Sequence, residues 1–321
     1  MNSHIMSDLK KSYGITPLKI TPVTGGWLNP KWKISTADGD LLVKQYSSER
    51  FSRAQLEKIE AALQRQVILE KDGVPCPRLL QFENRVIRWA NDKTAYMVMD
   101  FCPGKTETPD TIKISQMRSL GGVCAVMHAS LAKIQAAPDE RLPVFGGYTL
   151  GLLWKNFNSR IAECPPNANI EYRKALLSME PILKRLSPEF FDKFQKGFAH
   201  EDFQPGNILF EADCVSAIID FDRSCYSYVP HDVGRAILSF ALENGTLSLE
   251  KVHAFLEGYS RYRALTPADV ADALRLSWCI ETQWWIQPEF FGKCDTIPQR
   301  FRDEMLWLTE HWFELNSLLH F

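Results

Sequence analysis

No stretch of this 321-residue chain supplies the ~18–20 consecutive apolar residues a bilayer-spanning helix needs, so nothing in it is expected to cross a membrane. An excess of charge of one sign is missing too. The formal net charge of −2 gives no reason to expect nucleic acid or an anionic membrane as partner. The eight cysteines (Cys76, Cys102, Cys124, Cys164, Cys214, Cys225, Cys279 and Cys294) include no C-x-x-C pair. Zinc sites and disulfide scaffolds space their cysteines more closely, so these read as reduced, mostly buried thiols of a cytoplasmic protein. There is no internal repeat, no low-complexity tract and no apolar signal-peptide core. The opening Met1–Met6, "MNSHIM", reads as an expression-vector remnant with Met6 the native start, and is set aside from the fold.

What is present is an ordinary globular mix, 45% hydrophobic and 24% charged, long enough for one large two-lobed domain or two modest ones. The first hundred residues read as strands around one helix. "KITPVTGGWLNPKWKIST" predicts strand, tight loop and strand about Gly25-Gly26, and "GDLLVKQYS" a third strand. Leu56, Ile59, Leu63 and Val67 recur at helical spacing, with Ser48 or Ser52 as cap and Gly73 with Pro75 as the stop. "RVIRWAND" and "KTAYMVMDF" predict a hairpin. Helices then dominate, over Ile114–Ala136, Leu152–Ala162, Ile170–Arg185 and Pro188–Lys196, interrupted by a strand pair in "GNILFEADCVSAIIDFDR". The lobe boundary falls near Asp100 to Gly104, giving residues 1–101 and 102–321. A small β-rich lobe before a larger helical one suggests a ligand cleft between them.

The chemistry concentrates in "FAHEDFQPGNILF", where His200, Asp202 and Asn207 form H-x-D-x-x-x-x-N, and in "AIIDFDR", where Asp220 ends an apolar strand. In kinases such an Asp takes the proton of the substrate hydroxyl, while an Asn and a later Asp hold Mg²⁺. Mg²⁺ wants oxygen ligands and keeps waters, so one carboxylate and one amide beside nucleotide phosphates is a typical supply. Asp220 would be the stronger ligand, Asn207 the neutral one, and Asp202 the base just off the metal. The rival reading is a tight turn in which Asn207 and Asp220 serve as cap or hairpin residues.

With these two motifs the chain resembles the aminoglycoside phosphotransferase/choline kinase family over about residues 15 to 260. "HEDFQPGNILF" is similar to that family's catalytic loop and "IIDFD" to its metal strand. The family often has a small residue where Glu201 stands and a histidine at Gln204. The resemblance implies an α+β, two-lobed, protein-kinase-like fold and phosphotransfer from Mg·ATP to a small-molecule hydroxyl. In such a fold Lys44 would clamp the nucleotide phosphates and pair with a helix carboxylate; Glu57, Glu60 and Glu70 are candidates, with Glu60 favoured. Backbone groups of Gly25 and Gly26 would cover the phosphates, and adenine would bond backbone around Asp100 to Cys102. Asp232 resembles a residue that braces the catalytic loop, with a simple helix cap as rival. His128 resembles the family's helix histidine and reads as a satisfied core residue.

The acceptor stays open among an aminoglycoside-like antibiotic, an amino alcohol, a hydroxy amino acid and a sugar. Trp278, Trp284 and Trp285, with Glu281, Glu289 and Asp222, are candidate contacts, though a helical core accounts equally well for most of the tryptophans. ATP against GTP, and monomer against homodimer, are not separated by sequence. The competing class is a catalytically silent kinase-fold binding or coat protein. Lys44, Asp202, Asn207 and Asp220 together argue against silence, since a silent chain has no chemical need of all four.

Overall fold

A computed structural model describes residues 1–23, 29–141, 149–165, 168–291 and 299–320. The chain divides into two compact units: Met1–Glu107 with Gly206–Ser224, and Thr108–Pro205 with Cys225–Phe321. Against the expected division at 101/102, the first crossing thus comes after Glu107, and a later segment returns to the first unit. In chain order the elements begin with α1 (Ser3–Tyr13), β1 (Lys19–Pro22), β2 (Lys31–Thr36), β3 (Gly39–Ser47), α2 (Arg53–Lys71), β4 (Arg88–Asn91) and β5 (Thr94–Asp100). Then come α3 (Ile114–Leu131), α4 (Leu150–Glu163), α5 (Ile170–Arg185), α6 (Glu189–Asp192), β6 (Lys196–Ala199), β7 (Ile208–Glu211), β8 (Cys214–Ile218) and β9 (Cys225–Tyr228). The chain continues with α7 (Pro230–Ala241), β10 (Leu242–Glu243), β11 (Thr246–Leu247), α8 (Leu249–Ser260), α9 (Pro267–Trp285), α10 (Gln299–His311) and α11 (Leu315–Leu318).

In the first unit an antiparallel sheet runs β1-β2-β3-β5-β4. Successive strand residues face opposite sides, so β3 serves two cores. Val43 joins Ile34, Tyr96 and Val98 under Ile5 and Leu9 of α1. Tyr46 joins Met97 and Met99 against Leu56, Ile59, Leu63 and Val67 of α2. Met1–Met6, expected to stand outside the fold, takes part in it: Asn2 caps α1, and Ile5 is fully buried. The apolar spacing of α1 becomes visible only when the segment is read through to Leu9. Helix α2 starts at a capping box, Ser52 with Gln55, which satisfies otherwise orphaned N–H groups. The hairpin β7–β8 is tied to this unit by the Ile218 N–H donating to Pro75 O at 2.8 Å and by the Lys105–Phe210 bridge. Gly104 sits at φ +113°, and a Cβ there would lie 2.5 Å from Ser216 Oγ, so the close approach requires glycine.

The second unit is helical around α7, which is buried from His231 to Ala241. Helices α3 and α8 meet where Gly121 faces Phe255; a Cβ at Gly121 would lie 2.0 Å from that carbonyl oxygen. The helix expected over Pro188–Lys196 is only Glu189–Asp192, because Lys196 begins β6, paired antiparallel with the unforeseen β9. Phe191 and Phe194 pack edgewise or tilted on Tyr228 of β9, and this aromatic packing overrides the local helical pattern.

Candidate active site

Lys44 lies on β3, 2% exposed. Its ammonium donates to Asp220 Oδ1 and to Asp222 Oδ2, each at 2.7 Å. Burial alone would lower its pKa, but the two carboxylates outweigh it and raise it. Tyr46, two residues on and so on the same face of β3, donates its hydroxyl to Asp222 Oδ1 at 3.0 Å. Lys31, paired with Lys44 across β2 and β3, stands 3.8 Å from Asp220 Oδ2. Asp222 is raised by burial and by Asp220, against the lowering pull of Lys44: two acids share one close cation.

The β7–β8 hairpin accounts for the spacing of Asn207 and Asp220. Ile208 pairs with Ile218, and the Ile219 N–H donates to Asn207 O at 2.9 Å. Asn207, buried, and Asp220 are thus brought to one end of the same hairpin. Asp220 stands at φ +65°, a left-handed conformation that Asp tolerates better than most residues and that turns its carboxylate out of the strand.

The pairing of Lys44 with Glu60 does not occur here. Glu60 is buried but accepts from the Val86 N–H at 2.9 Å and the Ile87 N–H at 2.7 Å, and from Gln64. It pins the entry to β4, a commitment of the carboxylate to local backbone donors that helical spacing cannot reveal. Glu57 pairs with Arg85. The partner that sequence reasoning missed is Asp222, considered only as an acceptor contact. The signal available was the D-x-D spacing of Asp220 and Asp222, which puts two acids within reach of one lysine.

Asp100 ends β5; its carboxylate takes a bidentate bond from Arg78, and its N–H donates to Arg78 O at 2.9 Å. The next N–H, of Phe101, donates to Asp40 O. Cys102 follows, its thiol raised by burial and by Asp100. Gly25 and Gly26 fall outside the described residues.

Asp202 belongs to the second unit, half-buried after β6. Its N–H donates to His200 Nδ1 at 3.2 Å, and its carbonyl accepts from the Gln204 N–H at 3.0 Å. Asp232 is wholly buried in the first turn of α7. It accepts from the N–H of His200 at 2.7 Å and of Glu201 at 2.9 Å, while His128 Nε2 lies 3.1 Å from it. Burial pushes its carboxyl up, but His128 and the backbone donors prevail and hold it down. Of the two readings of Asp232 the brace is the one observed, because Val229 occupies the cap position. His128 is indeed a satisfied core histidine, its Nδ1 2.9 Å from the Tyr259 hydroxyl. Trp278 and Trp285 are also committed within the helices, bonding Thr309 and Glu281, while Glu289 is exposed.

The donor set suits a hard divalent cation. Two carboxylate oxygens already converge on a single positive group, and Asn207, a residue with an amide oxygen, stands at the same hairpin end. Among the described residues no group of three or more His, Cys, Asp and Glu forms a closed metal cage. Mg²⁺ needs none when phosphates and water complete its shell.

Comparison with known proteins bears on the fold and the family. A homoserine kinase of Allorhizobium ampelinum is 23% identical over 256 residues, 79% of this chain and 74% of that one. An amicoumacin kinase solved with AMP-PNP, Ca²⁺ and Ami matches with a TM-score of 0.65 at 14% identity, covering 98% of this chain and 93% of that one. A microcompartment-associated aminopropanol kinase matches at 0.60 and 14% identity, covering 99% and 100%. These likenesses bear out the α+β, kinase-like fold. The model of the phosphotransferase enzyme family matches residues 19–265, close to the span expected from the two motifs, and the chain belongs to that APH phosphotransferase family, whose members are enzymes.

Proposed function

We propose that the protein transfers the γ-phosphate of ATP to a hydroxyl of an amine-bearing small molecule, a hydroxy amino acid or amino alcohol before an aminoglycoside-like antibiotic. The observation that carries the reading is Lys44 held between Asp220 and Asp222, with Asn207 at the same hairpin end. In the reaction Lys44 turns from Asp220 to phosphate oxygens, a task suited to a compact ammonium. Asp220 and Asn207 would hold Mg²⁺, which when bound supplies neutralisation of phosphate charge. Asp222 stays with Tyr46 and keeps the lysine aimed. Asp202 orients the acceptor hydroxyl and takes its proton, a role that rests more on position than on a high pKa. Adenine is held by backbone near Asp100 and Cys102, and the nucleotide phosphates by the Gly25-Gly26 segment.

The acceptor class is supported by the relatives. Homoserine and aminopropanol each carry an amine near a primary or secondary hydroxyl, and those names belong to proteins aligned along most of this chain. The test is product formation from ATP, and separately GTP, with homoserine, 1-amino-2-propanol, ethanolamine, an aminoglycoside and a hexose, read by phosphorus NMR. A phosphomonoester of one of the first three supports the reading. A product from the hexose alone overturns the acceptor class, and no product with any acceptor overturns the activity.

A further inference from the structure

Glu201 occupies left-handed backbone, φ +64°, without being glycine. That conformation costs a residue with a side chain roughly 1–2 kcal/mol, so a side chain retained there needs a compensating contact. The Glu201 side chain is 4% exposed, and its Oε1 lies 3.5 Å from His231 Nδ1, an ion-pair distance; neither atom has a hydrogen-bond partner, so each is the other's compensation. His231 is fixed from its other side, Nε2 to Glu281 Oε1 at 3.1 Å. Glu281 Oε2 is held by Arg235 at 2.5 Å and by Trp285 Nε1 at 2.9 Å, and Arg235 in turn pairs with Glu304 of α10. A chain of charged side chains therefore runs from Glu304 of α10 to Arg235 of α7, across to Glu281 of α9 and back to His231 of α7, ending at the residue just before Asp202. The consecutive residues His231 and Asp232 grip Glu201 twice, one by its carboxylate and the other by its N–H. Burial alone would lower the His231 pKa, but its two carboxylate neighbours raise it to about 10, so the clamp is an imidazolium.

We propose that Glu201 is a positioning residue, clamped by His231 so that the turn it occupies presents Asp202 in one orientation. This rests on Asp202 being the base of the proposed transfer. A carboxylate held at both its backbone and its side chain leaves the following residue little rotational freedom, and general-base catalysis is sensitive to that freedom.

The test compares Glu201→Gly, Glu201→Gln and a Glu201→Gly/His231→Gln double variant of the full chain. Glycine is the residue best suited to φ +64°, so the Gly variant keeps its fold. The readouts are kcat and KM for ATP with the best acceptor of the panel (or water, as ATP hydrolysis), ADP affinity by calorimetry, and hydrogen exchange over residues 200–204. Loss of positioning should cost Glu201→Gly about tenfold or more in kcat, with KM for ATP and ADP affinity within about twofold. Glu201→Gln, which keeps an oxygen facing the imidazole, should recover turnover to within about threefold, and the double variant should be no worse than Glu201→Gly by more than about twofold. Exchange over 200–204 rises in Glu201→Gly and in the double variant. Unchanged kcat in Glu201→Gly, or unchanged exchange there, overturns the clamp, and so does a proportional loss of ADP affinity. An active Asp202→Asn would instead refute the base on which the proposal stands.

Discussion

Replacing Asp232 by asparagine removes one charge from a site with no access to water. The carboxylate accepts three donors, the N–H groups of His200 and Glu201 and the His128 ring nitrogen. An asparagine has one acceptor oxygen. Placed where Oδ2 stands, it keeps His200 and His128, but its NH₂ then faces the Glu201 N–H. One buried donor is left unsatisfied, at about 1–3 kcal/mol, and two charge-assisted bonds become neutral ones, at about 1 kcal/mol each. The expected loss is about 3–5 kcal/mol, within the range for breaking one partner out of a buried charged set. At about 2–4 °C per kcal/mol for a domain of this size, Tm should fall by about 10 °C in scanning calorimetry. Glu180→Gln, on an exposed i, i+4 pair with Lys184, should stay within about 1 kcal/mol and serves as control. A Tm for Asp232→Asn within about 2 °C of the parent would refute the claim that this carboxylate holds the loop, because even about 1 kcal/mol should move it that far.

Three further outcomes follow from the charged clusters. Lys44→Met leaves Asp220 and Asp222 without their close cation, so it should lower turnover at least ~100-fold and stability by ~3–5 kcal/mol. Added Mg²⁺ should raise its Tm more than that of the parent; equal rises would mean that the two acids do not form a cation site. Tyr46→Phe removes a buried hydroxyl donor to a charged acceptor and should cost about 1.5–3 kcal/mol in urea unfolding; a cost near zero would discount the Tyr46–Asp222 bond. His231 has a folded pKa raised from 6.5 to about 10, so its stabilisation is complete below pH 6.5 and lost as pH rises through about 10. Unfolding free energy measured between these values should decline less steeply in His231→Gln than in the parent, and parallel curves would contradict the imidazolium assignment.

Much of the fold was legible because its elements follow local rules. Strand β3 and helix α5 fall where alternation and helical spacing put them, and α2 starts at one of its two candidate caps, Ser52. What escaped was decided by partners distant in sequence. Strand β9 is short and half-buried and exists by pairing with β6, so "CYSY" carries no signal of its own. Within the site, the Asn207 and Asp220 spacing was readable because a hairpin is a local object whose register fixes both residues. The partner of Lys44 was not readable in the same way. Three glutamates on α2 had suitable spacing, but Glu60 is taken by the Val86 and Ile87 N–H groups, and nothing in a helical pattern reports the backbone of another segment. The Glu201–His231 contact joins residues thirty apart, and only the positive φ at Glu201 draws attention to it.

The most direct test of the central claim is phosphorylated product from Mg·ATP and the best acceptor, compared between the parent chain, Asp202→Asn and Asp220→Asn, with nucleotide affinity measured alongside. Asp202→Asn is expected to lose ~10²–10⁴-fold in kcat while ATP still binds, and Asp220→Asn to lose metal-dependent nucleotide binding. Full turnover in Asp202→Asn, or an unaltered Mg²⁺ requirement in Asp220→Asn, would contradict the claim.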